Sequence, residues 1–70
     1  MKVEIRYLRF TAMFGRTLAF GQLYSVADEP KLLQDGSLAQ ILTTCTENKF
    51  NVVNAQEILT TLVLKGGFAS

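Results

Sequence analysis

Two stretches of this chain, Ser37-Leu-Ala-Gln-Ile-Leu-Thr-Thr44 and Asn54-Ala-Gln-Glu-Ile-Leu-Thr-Thr61, carry nearly the same helical pattern. In each, a residue suited to a helix N-cap is followed three positions later by Gln40 or Glu57. A Ser or Asn N-cap accepts a hydrogen bond from a free backbone N–H of the first turn, and the Gln or Glu side chain reaches back to the N–H of the cap. The pattern therefore predicts two helices that start at these caps.

Each segment also carries one apolar stripe, with apolar residues at positions i, i+3, i+4 and i+7. The stripes are Leu38, Ile41, Leu42 and Cys45 in the first helix, and Ala55, Ile58, Leu59 and Leu62 in the second. We expect the first helix to end near Asn48 and the second at Lys65-Gly66-Gly67, since glycine readily adopts the conformation that follows a helix. The similarity arises either by duplication or in two independent helices with the same packing requirement, and both explanations predict the same helices.

The chain begins with the alternation of a β-strand. In residues 1–7, apolar side chains alternate with charged ones, which is typical of a strand with one face in water. Leu8 and Phe10 change the phase, because an apolar side chain now falls on the formerly charged side. We expect either a β-bulge here or a strand end that is buried on both faces.

Residues 11–27 are compatible with two structures. As a helix, the segment would contain Gly15 and Gly21, and each would cost about 1 kcal/mol relative to alanine. As a strand over residues 16–26, it places large apolar and aromatic side chains on one face, which suits a pleated sheet. We favour the strand, joined to the first by a turn at residues 13–16, and expect Gly21 to mark a bulge or a close backbone approach.

Two shorter segments complete the fold prediction. Asp28-Glu29-Pro30 precedes residues 31–34, and Asp35-Gly36 follows them, which predicts one or two helical turns with the proline at their start. Residues 50–53 are β-branched and aromatic, which indicates a short third strand or an extended connector. Together these elements predict one α+β domain over residues 1–70, in which an N-terminal β-hairpin packs on two or three C-terminal helices.

The sequence offers little for catalysis or for metal binding. It contains no histidine and a single cysteine, Cys45, which excludes an intramolecular disulfide, a histidine-based triad and the common zinc sites. The carboxylates have structural explanations, such as the capping role of Glu57. We therefore expect no catalytic, cofactor-binding or metal-binding residues, and a buried, unreactive Cys45.

The location of the protein is also predicted from its apolar residues. The apolar runs are far too short to cross a bilayer, and the first residues alternate instead of forming the continuous apolar segment of a signal peptide. A single buried cysteine suits a reducing compartment. We expect a soluble, cytoplasmic protein.

Basic residues are concentrated at the start of the chain. Residues 1–16 contain four basic residues and one acidic residue, although the net charge of the whole chain is only +1. Arg6, Arg9 and Arg16 lie among aromatic residues, so one hypothesis is nucleic-acid binding by a basic sheet, or by a helix-turn-helix-like pair of C-terminal helices. The competing interpretation, which we favour, is that the aromatic residues form the core and the arginines face water.

Protein interaction accounts best for the composition, since 49% of the 70 residues are apolar or aromatic and so small a domain buries only about 60% of its unfolded surface. Leu8 and Phe10 fall on the nominally water-facing side of a strand, and Val63, Leu64 and Phe68 fall off or beyond the stripe of the second helix. These five residues are the predicted interface. A symmetric homodimer is the simplest closed assembly. The sequence therefore favours a small, non-enzymatic accessory or regulatory protein that binds itself and another protein.

Overall fold

The structure is a computed structural model and describes residues 1–65. Its elements are, in chain order, β1 (Lys2–Met13), β2 (Arg16–Ser25), β3 (Leu32–Ser37), α1 (Leu38–Glu47), β4 (Asn51–Val52) and α2 (Ala55–Leu64). The four strands form one sheet in the order β3-β2-β1-β4, and both helices pack against it. The predicted α+β class, with an N-terminal hairpin and two C-terminal helices, is confirmed.

The first two strands form a long antiparallel hairpin with a tight turn. Phe14 and Gly15 make this turn, with φ angles of 55° and 71°. Positive φ at both turn residues is what a type I′ turn requires, and the twist of that turn matches the twist of the strands. Met13 and Arg16 pair directly beside it. The strand alternative for residues 11–27 and the turn predicted at 13–16 are therefore confirmed.

A β-bulge interrupts β1 where the sequence changes phase. The register of β1 against β2 shifts between Arg6 and Arg9, and Tyr7 takes a positive φ of 57°. The extra residue moves the following side chains to the opposite face, so Leu8 and Phe10 pack against the core. The bulge is one of the two predicted alternatives, but the expectation that these two side chains lie on the water-facing side is wrong for this reason.

Gly21 lies on β2 opposite this bulge. A Cβ atom at Gly21 would lie 3.4 Å from the carbonyl oxygen of Arg6 and 3.4 Å from Cγ2 of Ile5. Both distances are ordinary van der Waals contacts, so a methyl group here would touch β1 without a clash. Of the two alternatives predicted at Gly21, the bulge is the one present, on the facing strand.

The segment after the proline is a strand, and the helical turns predicted over residues 31–34 are wrong. Residues 32–37 form β3, which pairs antiparallel with the second half of β2. Asp35 and Gly36, predicted to end a helix, lie inside this strand. The reason is tertiary, because β3 pairs with backbone N–H and C=O groups along the outer edge of β2 that would otherwise lack a partner.

The short strand predicted near residues 50–53 is present at the other edge of the sheet. Asn51 and Val52 form β4, which pairs in parallel with Lys2 and Val3 of β1. The backbone N–H of Val53 extends this ladder by donating to the carbonyl of Val3 at 2.9 Å. Because β4 separates the two helices and belongs to the sheet, the tight turn of a helix-turn-helix is not formed between them.

The first helix starts and ends at the predicted residues. Ser37 Oγ accepts a hydrogen bond from the backbone N–H of Gln40 at 3.2 Å, and Asn48 is the C-cap. The second helix ends at Leu64 with Lys65 as its C-cap. The glycines predicted to follow Lys65 lie outside the described residues.

One hydrophobic core lies between the sheet and the two helices. It is built from apolar residues of β1, β2 and both helices: Val3, Ile5, Leu23, Leu38, Ile41, Cys45, Ile58 and Leu62. The burial predicted for Cys45 is confirmed. The helices therefore cover one face of the sheet and leave its opposite face uncovered.

Candidate functional site

The second helix is apolar on its water-facing side as well as on its core side. Ile58 and Leu62 are buried, whereas Leu59, Val63 and Leu64 are exposed to 49%, 70% and 80%. We call these three exposed residues the α2 face. Successive helical residues are rotated by about 100°, which places Leu59 and Val63 side by side next to the buried Leu62, with Leu64 further around the helix.

An apolar groove lies beside the α2 face, between the two helices. Its volume is about 260 Å³, and all of the residues that line it are apolar: Ile5, Leu42, Val52, Ala55, Ile58, Leu59 and Leu62. Leu42 borders the groove on α1 and Leu59 on α2. A ridge of side chains beside such a groove is the surface shape that helices use to pack against one another.

Asn54 stands at the predicted N-cap position of α2 and ties the start of this helix to β1. Its side chain makes no capping hydrogen bond. Instead, Asn54 Oδ1 accepts a hydrogen bond from the backbone N–H of Ile5 at 3.1 Å, and Nδ2 donates to the carbonyl of Ile5 at 2.8 Å. The side-chain amide thus continues the β4 ladder along β1 by one further residue. The capping box predicted for Asn54 and Glu57 is wrong, because the unpaired edge of β1 takes the Asn54 side chain.

The chain matches no protein-family model, no curated protein and no solved structure. The role of the α2 face is therefore inferred from its own chemistry. Its neighbours around the helix are the exposed, uncharged Gln56 and Thr60 beside Val63, and the exposed Glu57, which lies about 20° from Leu64. The Leu59–Val63 side of this surface is uncharged and suited to contact with another apolar surface.

The structure separates the five residues predicted to form an interface. Val63 and Leu64 belong to the exposed α2 face, whereas Leu8 and Phe10 are partly buried against the core. Phe68 lies outside the described residues. Leu59 was missed, because its spacing assigns it to the buried stripe. It remains half exposed because α2 contacts the sheet chiefly through β1.

The three arginines lie on the sheet face opposite the helices. Side chains alternate between the two faces of a strand, so Arg6 faces away from the buried Ile5, and the register after the bulge puts Arg9 and Arg16 on the same side. The guanidinium of Arg6 lies over the Tyr24 ring at 4.8 Å from its centroid, and that of Arg9 over the Phe20 ring at 5.0 Å. We call this surface of the sheet the open face; it carries Arg6, Arg9, Arg16, Phe20 and Tyr24, together with Tyr7, whose ring contacts Tyr24.

The interpretation that the aromatic residues form the core is wrong for most of the hairpin. Phe10 packs against the core, but Phe20 and Tyr24 lie on the open face, and Tyr7 and Phe14 are 69% and 90% exposed. The helices cover the opposite face of the sheet, so these rings have no helix above them. The arginines and the aromatic residues therefore share one surface.

Three further properties of the described residues concern the Cys45 thiol, metal binding and membrane crossing. Burial raises the pKa of the Cys45 thiol. Within residues 1–65, no group of three or more cysteine and carboxylate side chains is placed to hold a metal ion. Within the same residues, no helix has both the length and the apolar character needed to cross a membrane. The predicted site residues that the structure describes lie on the α2 face, on the open face or, for Leu8 and Phe10, against the core.

Proposed function

We propose that this chain acts by binding rather than by catalysis, and that it forms a homodimer through the α2 face. The observation that supports this proposal is the exposure of Leu59, Val63 and Leu64 on one short helix. Fully burying a side chain of this kind stabilises an assembly by about 1.5–3 kcal/mol. Burial of the α2 face by a partner would therefore provide a substantial part of the free energy of association.

The helix itself has a reason to need a partner. A helix of the length of α2 is marginal in water, and most helical stability in proteins comes from packing of an apolar face. In this chain α2 buries only Ile58 and Leu62. Contacts of a partner with the α2 face would stabilise the helix on its outer side, in addition to the core contacts of Ile58 and Leu62.

The α2 face suits contact with a second copy of the chain, because its projecting side chains lie next to the groove that could receive those of the other copy. Around a two-fold axis, the same patch contacts itself, so it must contain both the projecting and the receiving element. The α2 face supplies the ridge with Leu59 and Val63, and the groove beside it is bordered by Leu42 of α1. Gln56 and Thr60, next to Leu59 and Val63, are uncharged, whereas Glu57 lies on the Leu64 side of the helix, away from this ridge.

The chain exposes more apolar residues than one interface would cover, which supports a second partner. Among residues 1–65, eight apolar residues are buried, whereas eleven large apolar residues are exposed. One symmetric interface on α2 would not cover those at the hairpin turn or on β3. We therefore propose an accessory or regulatory protein of the cytoplasm, where a single buried thiol such as Cys45 stays reduced, which as a dimer binds another protein.

Sedimentation equilibrium of the wild type and of Val63→Thr tests the homodimer. Threonine has nearly the shape of valine, and Val63 is exposed in the single chain, so the fold is retained. In the dimer, each copy would bury one hydroxyl group, which weakens association by about 2 kcal/mol or more in total, or a factor of about 30 in Kd. We expect a wild-type dimer and a Val63→Thr monomer at the same concentration.

Val26→Thr is the matched control. Val26 is exposed to 43% and lies in the β2–β3 connection, so the same substitution there leaves the dimer intact. A wild-type chain that sediments as a monomer at high concentration would refute the proposal. Equal weakening by both substitutions would place the interface elsewhere.

A further inference from the structure

We propose that the open face binds single-stranded nucleic acid, with its arginines on the phosphates and its aromatic side chains against the bases. This site does not depend on the proposed homodimer, because the α2 face lies in the helical layer on the other side of the sheet. The open face thereby gives the nucleic-acid hypothesis from the sequence a specific binding surface.

Positive charge is concentrated on this side of the sheet. Its residues with charged side chains are Lys2, Arg6, Arg9 and Arg16, against Glu4 and Asp35. Four positive and two negative charges leave an excess of two, whereas the whole chain has a net charge of +1. The face with the most exposed aromatic residues is therefore also the face that attracts a polyanion.

The arginines differ in how far they are already neutralised. Arg6 forms a salt bridge with Glu4. Among the described residues, Arg9 and Arg16 form none, and both are exposed. The cation–π contact with Phe20 holds the Arg9 guanidinium on the open face, and no salt bridge among the described residues occupies its N–H groups, which can donate to phosphate oxygens. Arg9 is thus the strongest phosphate-binding candidate.

The aromatic residues supply surfaces for bases. Tyr7 is 69% exposed and lies edge-on to Tyr24, with ring centroids 6.1 Å apart. Phe20 and Tyr24 lie four residues apart on β2, a separation of roughly 14 Å along a strand. Unpaired bases stack on aromatic rings and also on guanidinium planes. The open face therefore presents stacking positions along the hairpin, each beside an arginine.

These contacts favour a single strand over a duplex. Stacking requires a base whose flat face is accessible, and in a duplex those faces are covered by neighbouring base pairs. An acidic peptide would satisfy the arginines but would leave Tyr7 without a stacking partner. Single-stranded RNA or DNA uses both components of the surface.

Fluorescence anisotropy with labelled single strands of about 12 nucleotides, in mixed-sequence RNA and DNA forms, tests the proposal at several salt concentrations. If all three arginines contact phosphates, log K falls with log salt with a slope of about −2. Arg9→Gln reduces the magnitude of the slope by about 0.7, whereas Arg9→Lys, which keeps the charge, retains it. Tyr7→Ala weakens binding at least about fivefold with little change in slope.

Lys65→Gln is the matched control, because it removes one positive charge at the end of α2 on the helical side of the sheet. We expect it to leave the affinity and the slope unchanged. The proposal is overturned if no single strand binds at low salt, or if Lys65→Gln has the same effect as Arg9→Gln. Equal binding of a duplex, or equal competition by poly-glutamate, would also overturn it, because the surface would then recognise negative charge alone.

Discussion

The two helices of this chain have similar sequences but different roles. α1 buries Leu38, Ile41 and Cys45, and it packs against β2 and β3 near the middle and one edge of the sheet. α2 buries only Ile58 and Leu62 and packs mainly against β1. The same Ile-Leu-Thr-Thr segment therefore belongs to a helix held firmly by the core in one case and to a lightly held helix in the other.

The difference between the helices is clearest at their last residues. Aligned on the shared segment, Thr46 and Glu47 of α1 correspond to Val63 and Leu64 of α2. All four are exposed. The geometry of a helix on a sheet leaves these positions outside in both cases, so packing within residues 1–65 does not explain why α2 has apolar residues there. The proposed contact with a second copy of the chain would explain it.

The largest expected difference between the helices is at their equivalent isoleucines. Ile41 is fully buried, whereas Ile58 is 7% exposed at the edge of the core. Truncation of a buried isoleucine to alanine costs about 2–5 kcal/mol, so we expect about 4 kcal/mol for Ile41→Ala and about 2 kcal/mol for Ile58→Ala. Urea unfolding followed by circular dichroism measures both.

Because a domain of this size is stabilised by only about 3–5 kcal/mol, Ile41→Ala should be largely unfolded without urea, whereas Ile58→Ala should still show a folded baseline. Equal losses at the two sites would mean that α2 is held as firmly as α1. In that case α2 would need no external partner for its stability.

A smaller effect distinguishes the two helix starts. Asn54 bridges to the backbone of Ile5 with one donor and one acceptor, whereas Ser37 caps its own helix. In Asn54→Asp, the donor is replaced by a carboxylate oxygen that faces the carbonyl of Ile5. Loss of that hydrogen bond costs about 1–3 kcal/mol. Urea unfolding of this variant should show the corresponding loss of stability.

Ser37→Asp is the matched control, because Asp is as good an N-cap as Ser and its charge suits the start of a helix. We expect this variant to unfold at nearly the same urea concentration as the wild type. If Asn54→Asp were equally harmless, Asn54 would be acting as an ordinary cap, and the bridge to β1 would contribute nothing.

Much of this fold was predictable because its signals are local. The alternation of residues 1–7, the phase change at Leu8, the turn at Phe14-Gly15 and the Ser37 cap each depend on a few neighbouring residues. Two features were not predictable from such signals. The local sequence of residues 31–34 is typical of helical turns, and only the edge of β2 that they pair with explains why they form a strand. The local sequence at Asn54 is typical of a capping side chain, and only the nearby backbone of Ile5 in β1 explains its hydrogen bonds.

The candidate surfaces show the same limit. Val63 and Leu64 were found from helical period alone, because they fall off the stripe of their own helix. Phe10 and Phe20 were harder, since alternation separates the two faces of a strand but does not say which face the helices cover. The bulge at Tyr7 then exchanges those faces within β1. Only the assembled sheet places Phe10 in the core and Phe20 on the open face.

The smallest expected difference is in pH dependence, at the position where α1 has Cys45 and α2 has Leu62. Burial raises the pKa of the Cys45 thiol from its ordinary value of 9.0. As pH rises past that value, the unfolded chain loses the thiol proton before the folded chain does, so the folded state loses stability relative to the unfolded state. Cys45→Val removes this group, just as Leu62 lacks one in α2.

The unfolding free energy of the wild type minus that of Cys45→Val should stay constant at lower pH and decrease above pH 9.0. A constant difference throughout would mean that the thiol is as accessible to water in the folded chain as in the unfolded chain, and α1 would then be less firmly packed than its three buried residues indicate.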